Sequence, residues 1–119
     1  MMLTGIVLDS SDAQELAAFY QRLLGWSTTM VKDHWVMLGA PGGGPGLSFQ
    51  TEQFYRPPVW PTAPGEPQMR MHLDIRVDDL EAAAAHAERA GAKPAGFQPQ
   101  EHVRVFLDPA GHPFCLYVD

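Results

Sequence analysis

A chain of 119 residues makes one compact domain, or two small modules sharing a core, and buries roughly 65% of its unfolded surface without staples. Its net charge of −6, from 8 Lys and Arg against 14 Asp and Glu, repels phosphate backbones and excludes nucleic acid as a partner. One cysteine, Cys115, excludes an internal disulfide and suits a reducing compartment. With no basic-then-apolar leader and no apolar run near about 18 residues, the expectation is a cytoplasmic protein without a membrane partner.

Gly5–Leu8 is short and apolar and reads as a strand. Ser11 or Asp12 caps the helix that follows, and Ser11 with Gln14 fits a capping box. Leu16, Phe19, Tyr20, Leu23 and Leu24 recur at helical spacing as one apolar stripe. Gly25 ends that helix, because glycine takes the left-handed stop at little cost. Trp26–Val31 and Trp35–Leu38 read as two strands turning near Asp33. Ala40 to Gly46 is a loop, and its Gly42-Gly43-Gly44 is no phosphate cradle, since no helix start with Lys-Ser/Thr follows. Leu47–Thr51 is a strand.

Residues 54–67 carry prolines too densely for a central sheet or a helix interior and are expected to run extended. Phe54, Tyr55 and Trp60 within them need something to lie on: a cavity, an aromatic ligand or a second subunit. Beyond, Met71, Leu73, Ile75 and Val77 alternate with polar His72, Asp74 and Arg76, the period of a strand with one polar face. Asp78 or Asp79 caps a second helix through Leu80, Ala84, Ala87 and Ala90, and Gly91 stops it. Val103–Leu107, a turn at Asp108-Pro109-Ala110-Gly111 and a strand at Phe114–Val118 complete the chain.

The chain thus repeats itself. Gly5 and Asp12 return sixty-seven positions later as His72 and Asp79, and Ser48 returns as Cys115. Each helix is followed by several strands on tight turns, which excludes a doubly wound parallel sheet. The expected class is α+β: two β-α-β-β-β modules with curled, mostly antiparallel sheets and helices on the outside. The modules span 3–52 and 69–119, joined by a Pro-rich linker at 53–68.

Four segments carry a further likeness: Leu8 to Asp12, Phe19 to Trp26, His72 to Asp79, and Asp108-Pro109-Ala110-Gly111-His112-Pro113-Phe114. Together, in this order and spacing, they resemble the vicinal-oxygen-chelate superfamily, the group of glyoxalases, bleomycin-resistance proteins and ring-cleaving dioxygenases. The resemblance covers nearly the whole chain and implies a cavity walled by two modules, of one chain or of two subunits. Enzymes of the group hold a divalent metal with one residue from each of four strands. Those positions here are Gly5, His72, Ser48 and Cys115, with Gln50 and Tyr117 two residues further along the last strands. His72 matches the pattern; Gly5 has no donor side chain and both carboxylates are missing.

A catalytic zinc takes about three protein ligands and an iron(II) oxygenase takes two His and a carboxylate, so no metal or other cofactor is expected. His72 with Asp74 two residues away forms a possible oriented base, and these two are the catalytic candidates. Cys115 on an apolar strand is expected to be a buried, inert thiol. Trp35 and Met37 share one face, which goes either to the helix or to the cavity. The expected ligand contacts are His72, Asp74, Ser48, Gln50, Cys115, Tyr117, Trp35, Met37 and Trp60. The leading expectation is metal-independent binding or sequestration of a small, partly aromatic organic molecule in a cavity between modules of a homodimer. Two other readings stay open. One is a metal-dependent isomerase, lyase or dioxygenase with a non-standard ligand set that includes His72. The other is an interaction module with a vestigial cavity.

Overall fold

The internal repeat folds as a structural repeat in the computed structural model, which describes residues 1–119 as two units, 1–56 and 57–119. The first unit runs β1 (Gly5–Ser10), α1 (Ala13–Leu24), β2 (Ser27–Lys32), β3 (Trp35–Gly39) and β4 (Gly46–Thr51). The second runs β5 (Leu73–Arg76), α2 (Leu80–Ala90), β6 (Lys93–Pro94), β7 (Val103–Leu107) and β8 (Pro113–Tyr117). The sheets have equivalent orders, β1-β4-β3-β2 and β5-β8-β7-β6. In each, the first and last strands pair in parallel and the other pairs are antiparallel. The expected α+β class and its paired modules are what the structure has. Even the register repeats: Val7 lies opposite Ser48, and sixty-seven residues on, Asp74 lies opposite Cys115.

The alternation of each strand fixes what the helices cover. Val36, Leu38, Leu47 and Phe49 are buried on one face of the first sheet, where the α1 stripe of Leu16, Phe19 and Tyr20 meets them. Tyr20 stacks on Phe49 with ring centroids 5.5 Å apart. In the second unit Phe106, Phe114 and Leu116 are buried on the face that α2 covers with Ala87 and Ala90. Alanines on this helix bury less area than the aromatics of α1, and stacking of Phe106 on Phe114 at 5.8 Å fills much of the layer instead.

Several local expectations need correction. The Ser11–Gln14 capping box does not form. Asp12 is the cap, its carboxylate accepting from the backbone N–H of Gln14 at 3.1 Å and Glu15 at 3.2 Å. The Gln14 amide reaches away to the Lys32 carbonyl. A carboxylate on the residue next to the helix serves both orphan N–H groups, and Ser11, one residue too early, has none left to take. In α2 the cap is Asp79, which accepts from Ala82. The third strand that the β-α-β-β-β order requires after α2 is β6, whose place no pattern marked because two residues carry no period. The strand expected from Met71 begins only at Leu73, which leaves His72 one residue outside β5. The Asp108 turn is tighter than its backbone alone requires: the buried Asp108 carboxylate accepts from the N–H groups of Ala110 and His112, and Gly111 has φ 88°. The proline-rich stretch takes no regular structure, and Val59 N–H closes it onto the Pro67 carbonyl at 2.9 Å.

Gly46 is required by space, since a Cβ there would collide with the Leu38 carbonyl oxygen on the neighbouring strand. Gly5, opposite Gly46 on β1, has room: its nearest contacts would be 3.7 and 3.8 Å away. Gly46→Ala should therefore destabilise the fold by about 1–3 kcal/mol, the usual cost of overpacking. Gly5→Ala should change stability by less than about 0.5 kcal/mol. Urea unfolding of both variants checks the contrast.

Candidate functional site

The alternation that sends Phe114 and Leu116 toward α2 sends Cys115 and Tyr117 to the opposite face of the second sheet. On β5 it turns Asp74 and Arg76 the same way, and the parallel register sets Asp74 beside Cys115. Antiparallel pairing sets Val105 on the other side of Cys115, and Val103 beside Tyr117. His72, two residues before Asp74, joins the same face. Its Nε2 lies 3.1 Å from Asp74 Oδ1. One donor atom from each of His72, Asp74 and Cys115 lies within 4.8 Å of the others.

This group borders a pocket of about 180 Å³ in the second unit. His72, Cys115 and Gln100 supply its polar groups, and Trp60, Met69, Val103 and Val105 supply apolar walls. The Trp60 indole N–H donates to the Phe97 carbonyl at 3.3 Å, and the two rings lie 6.2 Å apart, so the indole is oriented rather than loose. The Cys115 thiol is held above the usual thiol range, first by burial, then by the negative charge of Asp74 and by its hydrogen bond to that carboxylate. It is a neutral donor, not a nucleophile, at neutral pH.

The sequence-derived candidates divide between the units. His72, Cys115 and Trp60 line the pocket, and Asp74 touches it through His72. Tyr117 lies one step along β8, opposite Val103, and does not line it. Ser48, Gln50, Trp35 and Met37 belong to the first unit, where Met37 pairs with Ser48 and Trp35 with Gln50. The ambiguity over Trp35 is resolved: Val36 and Leu38 face α1, and Trp35 and Met37 take the other face of the sheet. The Gln50 amide is engaged by Asp9 at 2.6 Å and Glu52 at 3.2 Å. Val103, Val105 and Met69 were missed. The valines carried a legible signal, because they alternate with Arg104 and Phe106. Met69 stands in a loop with no pattern to mark it.

The four positions that the superfamily resemblance implies for a metal do not fit one. Gly5 offers no donor, and Ser48 offers a hydroxyl that is 3% exposed. The space itself is present: a Cβ on Gly5 would stand 3.8 Å from Ser48 Oγ. The first module keeps the positions and lacks the chemistry.

A family model described as a glyoxalase-like domain matches residues 5–117. Comparison with the curated proteins gives no match. Solved structures share the fold over nearly their whole length. One is a glyoxalase/bleomycin resistance protein/dioxygenase family enzyme from Burkholderia phytofirmans PsJN, 18% identical, covering 99% of this chain and 98% of that one at TM-score 0.75. A glyoxalase-related enzyme from Fulvimarina pelagi is 16% identical, covering 100% and 88% at TM-score 0.74. TnmS3, an antibiotic-binding protein from Streptomyces sp. CB03234, is 21% identical, covering 99% and 95% at TM-score 0.64.

Two of the causes that raise the thiol come from Asp74, and the first, burial, does not. Asp74→Asn removes the charge and lowers the thiol toward its ordinary range, so more thiolate is present at a given pH. Alkylation of Cys115 by iodoacetamide at pH 8 should be slow in the parent chain and roughly two- to tenfold faster in Asp74→Asn. Mass spectrometry of timed samples reads the rates.

Proposed function

The chain belongs to the glyoxalase-like domain family, and on that premise we propose that it binds a small organic molecule with a flat apolar face in the pocket beside His72, without a metal. The observation that carries this reading is the division of the pocket. Trp60, Met69, Val103 and Val105 offer apolar contact, and the Gln100 amide and the ring nitrogen of His72 that is not turned to Asp74 offer hydrogen bonds. Such a division, mostly apolar with a few polar groups that orient, is typical of small-molecule sites. An enclosed cavity of about 150 Å³ takes benzene, so the 180 Å³ here suits one aromatic ring bearing a hydroxyl or carbonyl. Larger molecules extend outward. The fold likeness to an antibiotic-binding protein supports sequestration as the role.

A second reading is favoured by one contact. His72 Nε2 stands 3.1 Å from Asp74 Oδ1, which orients the imidazole as an acid–base group toward a bound molecule. Binding alone and proton transfer differ in whether the ligand leaves changed.

The reading includes a homodimer in the cytoplasm. Val7, Ser48, Met37 and Met30 form one row across the first sheet, and Val7 and Met30 at its ends are 46% and 41% exposed. Ser48 within the row is already buried, and covering its exposed apolar ends is what a second subunit does. No helix is long and apolar enough to cross a membrane, and a single free thiol is stable in a reducing compartment.

Thermal-shift screening with monocyclic phenols, quinones and aromatic antibiotics in EDTA tests the reading. A ligand at one hundred times its dissociation constant adds about 2.7 kcal/mol of stability. Trp60→Ala should weaken a hit by roughly three- to tenfold, the worth of one aromatic contact. The absence of any hit across the library would refute the reading. Light scattering that finds only monomer at high concentration would refute the dimer.

A further inference from the structure

We propose that the pocket of the second module selects aromatic molecules that carry a hydrogen-bond donor, a hydroxyl or an amine, over matched molecules that carry only an acceptor or an anion. The positioning residue behind this choice is Asp74, which acts through His72. The proposal rests on this pocket as the ligand site and adds which polar group the ligand must bring.

The donors that line the pocket are already spent. Trp60, His72, Gln100 and Cys115 are its side chains that can carry a polar hydrogen. The Trp60 indole N–H is taken by the Phe97 carbonyl at 3.3 Å. The Cys115 thiol has one proton and uses it in the hydrogen bond to the Asp74 carboxylate. The backbone N–H of Val105 donates to Gln98 Oε1 at 2.8 Å. His72 turns Nε2 to Asp74 Oδ1 at 3.1 Å. A carboxylate oxygen only accepts, so a bare ring nitrogen at that distance would set two lone pairs against each other. The proton of the neutral ring therefore sits on Nε2, and Nδ1 is left as a bare acceptor. The Gln100 amide alone keeps a donor, and its own carbonyl lets it serve either kind of ligand.

Charge at the same end works in the same direction. The Asp74 carboxylate lies between an imidazole and a thiol, and no Lys or Arg lines the pocket to balance it. A ligand O–H or N–H facing Nδ1 turns its positive end toward this charge. A carbonyl or ether oxygen in that place meets a bare nitrogen. Both lone pairs then lose water without gaining a partner, which costs more than a typical hydrogen bond contributes. A carboxylate adds repulsion from Asp74 beside apolar walls that screen it poorly. Val103 and Val105 have no polar side-chain group to repair either mismatch. Of a hydroxyl and a carbonyl on one aromatic ring, the site accepts the hydroxyl.

The test is NMR titration of the EDTA-treated chain at pH 8 with one-ring probes that share an apolar body: p-cresol, p-toluidine, p-methylanisole, p-methylacetophenone and p-toluate, with toluene as the reference. The phenol and the amine should bind at least about fivefold more tightly than the ether and the ketone, and p-toluate most weakly. In Asp74→Asn the carboxamide both donates and accepts, so the ring proton is free to move to Nδ1 and the preference should fall to within about twofold. The long-range proton–nitrogen spectrum of the histidine rings should show the neutral His72 ring, identified by its loss in His72→Gln, protonated at Nε2. Equal binding of p-cresol and p-methylanisole overturns the proposal and leaves the pocket as a ligand site. So does a neutral His72 ring protonated at Nδ1, or an Asp74→Asn chain that loses affinity for every probe alike. Failure of every probe to bind, toluene included, refutes the ligand site itself and this inference with it.

Discussion

The parallel pairing of β5 with β8 decides the chemistry of the second module. It sets Asp74 directly beside Cys115, and His72, just before the strand, meets Asp74 there. The opposite side of β8 belongs to Phe114 and Leu116 under α2. A shift of one residue would exchange the two sets, burying a carboxylate against the helix and exposing a phenylalanine to water. The aromatic stack of Phe106 on Phe114 therefore holds the polar group in place as well as filling the core.

Duplication gives two frames and only one reactive group. In the first module the position equivalent to Asp74 is Val7, the one equivalent to Cys115 is Ser48, and the one equivalent to His72 is Gly5. The backbone register is the same in both. The modules differ in most of their side chains, so the open face of the second sheet carries an imidazole, a carboxylate and a thiol where the first has Gly5, Val7 and Ser48. Each β-α-β-β-β unit builds its own core from its own helix, which leaves its open face to change without loss of the fold.

Asp74 joins the other two members of this group. As a hydrogen-bond acceptor it orients the imidazole and holds the thiol protonated, which suits a pocket that binds neutral molecules.

Helix positions, their glycine stops and the module order were legible in the sequence, because periodicity and caps are local: the stripe at Leu16, Phe19 and Tyr20 names its buried face without reference to anything distant. The repeat also exposed the candidate His72. Other features depend on distant partners. Asp74 and Cys115 stand forty-one positions apart in the chain, and only the parallel register makes them neighbours. The face taken by Trp35 and the place of Met69 in the pocket wall were likewise decided by tertiary packing. Sequence alone determined a duplicated α+β fold with His72 and Asp74 on one strand face; the structure added Cys115 to that pair, because hydrogen bonding between strands brings together side chains that no local pattern connects.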